Sequence, residues 1–126
     1  MTFLLIVEDE LPIRELVSFV CEREGFEVVG AADVGEACAA LKARRPDLIL
    51  LDRMLPDRSG QSWLEDLKKD PETADLPVIM LTARGEERDE LQGFKLGVDE
   101  YISKPFSPKI LVARVEAILR RSNVAV

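Results

Sequence analysis

Three carboxylates stand where two short apolar runs end: Glu8 and Asp9 after Phe3 to Val7, and Asp52 after Leu48 to Leu51. Continuous apolar runs of this length suit strands buried on both faces. If the two strands lie side by side in one parallel sheet, their carboxyl ends open into the same crevice, where open α/β sheets bind ligands. Like charges gathered there repel one another unless a cation sits among them, and an all-oxygen donor set suits a hard ion such as Mg²⁺. Strand ends also meet water, so polar residues are common there without any ion. The acids alone leave both readings open.

Two further residues share that edge. Thr82 follows the run Pro77 to Leu81 and brings a hydroxyl, and Lys104 follows Tyr101 and Ile102 and brings an ammonium. Singly, each has an ordinary explanation, as a turn cap and as a solvated charge. Together with the acids they complement a phosphoryl group in transfer, whose three equatorial oxygens need positioning and charge neutralisation. Asp52 is then the natural nucleophile. A phosphatase with an aspartyl nucleophile is the competing chemistry. It usually wants a second acid two residues on to protonate the leaving group, and that position is Met54.

A regular alternation of elements has to bring these residues together. After the strand Phe3 to Val7, Pro12 suits a first helical turn. Ile13, Leu16, Val17 and Val20 then repeat at helical spacing before Gly25. Glu27 to Gly30 is a short strand, and Asp33 with Glu36 resembles a capping box opening a helix that turns Ala37, Ala40 and Leu41 inward. Leu48 to Leu51 is a buried strand. A turn over Pro56 to Gly60 leads into a helix, Gln61 to Lys69, anchored by Trp63, Leu64 and Leu67. Pro77 to Leu81 is a fourth strand, Glu86 to Leu96 a fourth helix closed by Gly97, and Tyr101 with Ile102 a short fifth strand. Ser107 can cap, and Pro108 start, a last helix burying Leu111, Val115, Ile118 and Leu119. Short connections imply right-handed βαβ units. The expected fold is α/β: a single doubly wound five-stranded parallel sheet with five helices, flavodoxin-like. It should span residues 1–121, with 122–126 a tail or the start of a linker.

Composition narrows the function. A chain of 126 residues, 47% apolar, suits one domain with one sizeable core and argues against disorder. A net charge of −7 argues against gripping DNA or an anionic membrane directly. The chain has no histidine, which removes Ser/His/Asp hydrolysis and His-ligated zinc. No GxGxxG or Walker sequence occurs, and Glu8-Asp9-Glu10 would repel phosphate without a metal, so dinucleotide, flavin and P-loop readings fail. Cys21 and Cys38 fall in predicted helices without metal-ligand spacing and read as reduced, half-buried thiols. With no apolar run of membrane-spanning length and no signal peptide before Phe3, the expected location is the cytoplasm.

Three segments carry a resemblance to a known family: Leu48 to Gly60, reading LILLDRMLPDRSG; Val78 to Gly85, reading VIMLTARG; and Tyr101 to Pro108, reading YISKPFSP. Along its whole length the chain resembles the receiver domain of two-component response regulators, most closely those of the OmpR/PhoB class. The resemblance implies that Asp52 accepts a phosphoryl group from a sensor histidine kinase. Asp9, Asp52 and the main-chain carbonyl of Met54 would bind Mg²⁺, with Glu8 acting largely through water. It further implies that Thr82 and Lys104 bond phosphoryl oxygens and that the peptide before Pro105 is cis. Such a domain catalyses its own phosphorylation and slow hydrolysis and is not a turnover enzyme. On phosphorylation Thr82 would be drawn to the phosphoryl group and Tyr101 would turn inward, repacking the face made by the predicted fourth helix, fifth strand and last helix. Members of the class usually dimerise through that face and act on DNA through a C-terminal effector domain outside this chain. A receiver-like module that binds proteins without phosphorylation is the alternative.

The chain also departs from that class. Glu90 and Ile110 stand where a basic and an acidic residue commonly pair across the dimer, and Asp99 lacks a basic partner at Glu116. Glu100 with Arg114 keeps a cross-interface pair, and Leu91, Phe94 and Ala113 keep the apolar patch. Exposed ion pairs contribute about 0 to 1 kcal/mol each, so the dimer should be weakened rather than lost. Arg53, beside the phosphoacceptor where some relatives have an aromatic, alters the local electrostatics.

Overall fold

Successive side chains of a strand point to opposite faces, so a continuous apolar run needs cover on both. In the computed structural model, which describes residues 2–83 and 97–122, the runs receive that cover. Strands β1 (Phe3–Val7), β2 (Glu27–Ala31), β3 (Leu48–Asp52), β4 (Val78–Ala83) and β5 (Glu100–Lys104) form one parallel sheet in the order β2-β1-β3-β4-β5. Leu5, Val7, Ile49, Leu51, Val78 and Met80 face one core, closed by helices α2 (Val34–Ala43) and α3 (Gly60–Lys69) through Ala37, Trp63, Leu64 and Leu67. Leu4, Ile6, Leu50, Ile79, Leu81 and Ile102 face the other. There α1 (Leu11–Arg23) and the C-terminal helix (Pro108–Arg121) supply Val17, Cys21, Leu111, Val115, Ile118 and Leu119. The sheet is doubly wound, as the alternation requires. The predicted helix over Glu86 to Leu96, and with it Glu90, Leu91 and Phe94, lies outside the described residues.

Several boundaries differ from the sequence expectation. Asp52, Thr82 and Lys104 lie inside β3, β4 and β5, not after them. The apolar pattern stops earlier than the backbone ladder, because pairing needs only main-chain groups: Arg53 N still donates to Leu81 O at 3.0 Å. Asp33 caps α2, its Oδ1 accepting from Glu36 N at 2.8 Å, while Glu36 Oε1 accepts from Ala32 N at 2.9 Å. Ser107 occupies the cap position of the C-terminal helix without a side-chain cap bond. Leu16 is 45% exposed despite its helical spacing. Cys21 is fully rather than half buried, and burial foremost, then Glu22 and Glu24, pushes its thiol up to about 12. Among the described residues no helix is long and apolar enough to cross a membrane.

The amino edge of the sheet carries the same clasp twice. Phe3 N donates to Asp47 Oδ2 at 2.8 Å while Asp47 N donates to Phe3 O at 2.7 Å. Val78 N donates to Asp99 Oδ2 at 2.8 Å while Asp99 N donates to Val78 O at 2.9 Å. Asp99, read in the sequence as an interface charge short of a partner, is thus engaged with the backbone of β4.

Candidate functional site

The pairing of Val7 with Leu51 brings Glu8 and Asp52 out side by side at the carboxyl edge. One ligand oxygen from each of Glu8, Asp9 and Asp52 lies within 4.8 Å of the others, a cluster that could hold a metal ion. Glu8 is fully buried and Asp52 nearly so, whereas Asp9 is exposed. Lys104 reaches the same carboxylates from β5: its Nζ donates to Glu8 Oε2 at 2.8 Å and to Asp52 Oδ2 at 3.0 Å. The other oxygen of Asp52 accepts from Met54 N at 3.1 Å. Met54 is 64% exposed, while Thr82 is buried on β4 beside the Leu81 that pairs with Asp52. The Lys104–Pro105 peptide is cis.

Burial, then the neighbouring Asp52 carboxylate, raises the pKa of Glu8 from its ordinary 4.5 to about 7 against the pull of Lys104. Burial works against the charged Lys104 as well, but its bonds to Glu8 and Asp52 outweigh it and hold the ammonium above its ordinary range. The raised Glu8 gives a signed prediction. A carboxyl that protonates more readily folded than unfolded contributes stability that is full below about pH 4.5 and is lost as pH rises through about 7. The shift corresponds to on the order of 3 kcal/mol. Asp57, Glu27 and Asp75 are held below their ordinary values, by the Val34 N–H, Arg44 and Arg45 respectively, so their contributions are lost in more acidic solution, outside that window. Urea unfolding in EDTA should therefore show a lower midpoint at pH 7.5 than at pH 5. Glu8→Gln, which cannot ionise, should flatten the difference; an equally steep fall in that variant would assign it to other groups.

Three supports of the site were not anticipated from the sequence. Arg14 Nη1 donates to Glu8 O at 2.7 Å, and its stem lies over Gly30, where an added Cβ would come within 3.0 Å of Arg14 Cδ. Gly60 N donates to Arg53 O at 2.8 Å, and a Cβ on Gly60 would overlap the Asp52 carbonyl oxygen. Asp57, in the loop between β3 and α3, accepts from Val34 N at 3.1 Å and Gly35 N at 3.0 Å. Glycine after a turn and a basic residue at the start of a helix are weak sequence signals, and neither names its partner.

On the expected switch face, Tyr101 is buried in the α2–α3 core, and Ala113 is exposed. Arg114 Nη1 and Glu100 Oε2 are paired at 2.7 Å within one chain. A bond across a dimer would require them to exchange partners.

The family described as the response regulator receiver domain matches residues 4–116. The chain is 55% identical over 118 residues to the phosphate regulon transcriptional regulatory protein PhoB of Escherichia coli (strain K12), covering 94% of this chain and 52% of that protein. It is 43% identical over 120 residues to the DNA-binding dual master transcriptional regulator RpaA of Synechocystis, covering 95% of this chain and 50% of that one. The chain thus spans about half the length of these curated relatives. Among solved structures, a response regulator from Chloroflexus aurantiacus superposes with a TM-score of 0.90 at 37% identity, covering 95% of this chain and 98% of the other. The receiver domain of the Francisella response regulator 1452 does so at 0.88 and 30%, covering 97% and 99%. Sheet order, covering helices and sequence agree, and the chain belongs to the response regulator receiver domain family.

Proposed function

We propose that this receiver takes a phosphoryl group on Asp52 from a partner histidine kinase and converts it into a change of surface. The observation that carries the reading is the convergence of Glu8, Asp9 and Asp52 with the Lys104 ammonium, 3.0 Å from Asp52. Asp9, Asp52 and the Met54 carbonyl would hold Mg²⁺, with Glu8 through water. Bound there, the ion neutralises phosphoryl oxygens during transfer. An Asp52 oxygen attacks phosphorus, the bond to the kinase imidazole breaks, and the imidazole leaves with its electron pair. Lys104 then exchanges a carboxylate for a phosphoryl oxygen, and the Thr82 hydroxyl binds another. The product stays attached until water removes it, so the domain is not a turnover enzyme. Thr82 and Tyr101 are the switch residues of this reading, and its setting is the cytoplasm. The likeness to transcriptional regulators about twice as long supports an output on DNA through an effector domain outside residues 1–121.

Incubation with acetyl phosphate and Mg²⁺ should add one phosphate-sized mass, and the gain should vanish with EDTA and in Asp52→Ala. An equal gain in Asp52→Ala would reassign the acceptor.

Dimerisation of the activated domain through β5, the C-terminal helix and the segment carrying Leu91 and Phe94 should be weaker than in typical relatives, since Glu90 and Ile110 cannot attract. In sedimentation with beryllofluoride, a phosphoryl mimic, Glu90→Arg with Ile110→Glu should tighten the dimer and Glu100→Arg should loosen it. A dimer indifferent to all three changes would lie on another face.

A further inference from the structure

We propose that Asp57 is a positioning residue of the metal site: its carboxylate fixes the loop that carries Met54 to the amino end of α2. The inference rests on the reading of Glu8, Asp9, Asp52 and the Met54 carbonyl as an Mg²⁺ site. A helix cannot satisfy its first N–H groups internally. In α2 the first two are met from 23 and 22 residues further along the chain, Val34 N by Asp57 Oδ1 at 3.1 Å and Gly35 N by Asp57 Oδ2 at 3.0 Å. Asp33 Oδ1 meets the third, Glu36 N, at 2.8 Å. The helix dipole favours a carboxylate at this end. Asp57 Oδ1 also accepts from Arg58 N at 3.1 Å, which orients the carboxylate from its own side.

The same bonds that cap α2 hold the loop. Its start is fixed by Met54 N on Asp52 Oδ1 and its end by Gly60 N on Arg53 O, while Leu55 packs against the α2–α3 core. Asp57 ties the stretch between these points sideways to a rigid helix. Mg²⁺ demands near-octahedral geometry at short distances, so a main-chain oxygen on a loose loop is a poor ligand and one on a tethered loop a good one. Residues that orient metal ligands without touching the ion typically change affinity by about 10- to 100-fold.

Asp33 supplies the control, because it caps the same helix through Glu36 N from the residue before α2 and is not part of the loop. Titration of the chain with Mg²⁺ alone, followed by calorimetry, should show Asp57→Ala weakened by about tenfold and Asp33→Ala within about twofold of wild type. Both variants should lose comparable stability, of the size expected for a lost cap. Asp57→Asn, which keeps one acceptor oxygen, should fall between Asp57→Ala and wild type. In metal-free protein, hydrogen exchange at the Met54 amide should quicken in Asp57→Ala and not in Asp33→Ala. Wild-type affinity in Asp57→Ala, or an equal loss in Asp33→Ala, would overturn the inference while leaving the site intact. A wild type that binds no Mg²⁺ would overturn the reading of the site itself.

Discussion

Lys104→Met should be less stable than wild type at neutral pH by about 2 to 4 kcal/mol while retaining Mg²⁺ binding and losing phosphorylation. Its ammonium lies 2.8 Å from Glu8 Oε2 and 3.0 Å from Asp52 Oδ2, and the two carboxylates have side chains only 0% and 7% exposed. Removing one member of a buried ion pair typically costs about 3 to 5 kcal/mol, because the remaining charge is left unbalanced. Glu8 has a partial escape: with its pKa already raised to about 7, it can take up a proton. The loss should therefore shrink toward pH 5. On the proposed reading Mg²⁺ would supply the missing positive charge, so its affinity should hold or rise, whereas a phosphoryl group on Asp52 would lack the ammonium. Urea unfolding at two pH values, Mg²⁺ calorimetry and the acetyl phosphate mass gain measure the three effects. A collapse of Mg²⁺ affinity would mean that Lys104 organises the metal site, contrary to the division of roles proposed above.

Gly60→Ala should cost about 2 to 3 kcal/mol and slow phosphorylation at least about tenfold. The added Cβ would overlap the Asp52 carbonyl oxygen and come within 3.2 Å of Asp52 C and Arg53 Cα. All three are backbone atoms, so no side chain can rotate aside; either the end of β3 or the start of α3 must move, and Asp52 moves with it. Gly35→Ala is the contrast. Its Cβ would meet Asp33 Oδ1 at 3.4 Å, an ordinary contact, and alanine in a helix should stabilise by up to about 1 kcal/mol. Thermal unfolding and initial phosphorylation rates distinguish the two. A Gly60→Ala variant with wild-type rate would show that the strand end absorbs the overlap without displacing Asp52.

The contrast also marks what the sequence makes legible. The central strands β1, β3 and β4 are visible because their side chains are apolar on both faces, and Glu8, Asp9 and Asp52 are visible as charges at the ends of such runs. Asp33 and Glu36 are visible because capping is local. Gly60, Arg14 and Asp57 are not, since each acts on a backbone group brought near by the fold: the carbonyls of Asp52 and Glu8, and the N–H groups of Val34 and Gly35. Every residue owns such groups, so no side-chain pattern singles out the partner. The bond that Asp99 makes is hidden for the same reason. A surface acid invites a search for a basic side chain, and its partner is the main chain of Val78.

The paired clasps at the amino edge act as a ruler for the opposite edge. Asp47 and Asp99 each sit one residue before a strand and grip the first residue of its neighbour, Phe3 and Val78. In a parallel sheet a slip of one residue displaces one strand past the next by about 3.3 Å. Such a slip of β3 against β1 would carry Asp52 away from Glu8, and one of β5 against β4 would draw Lys104 out of reach of both acids. Two aspartates five strand positions away thus add to the ladders that set the spacing of the charged groups. If the carboxyl edge exchanges ions and phosphoryl groups as proposed, its strands are still held in register from the opposite edge.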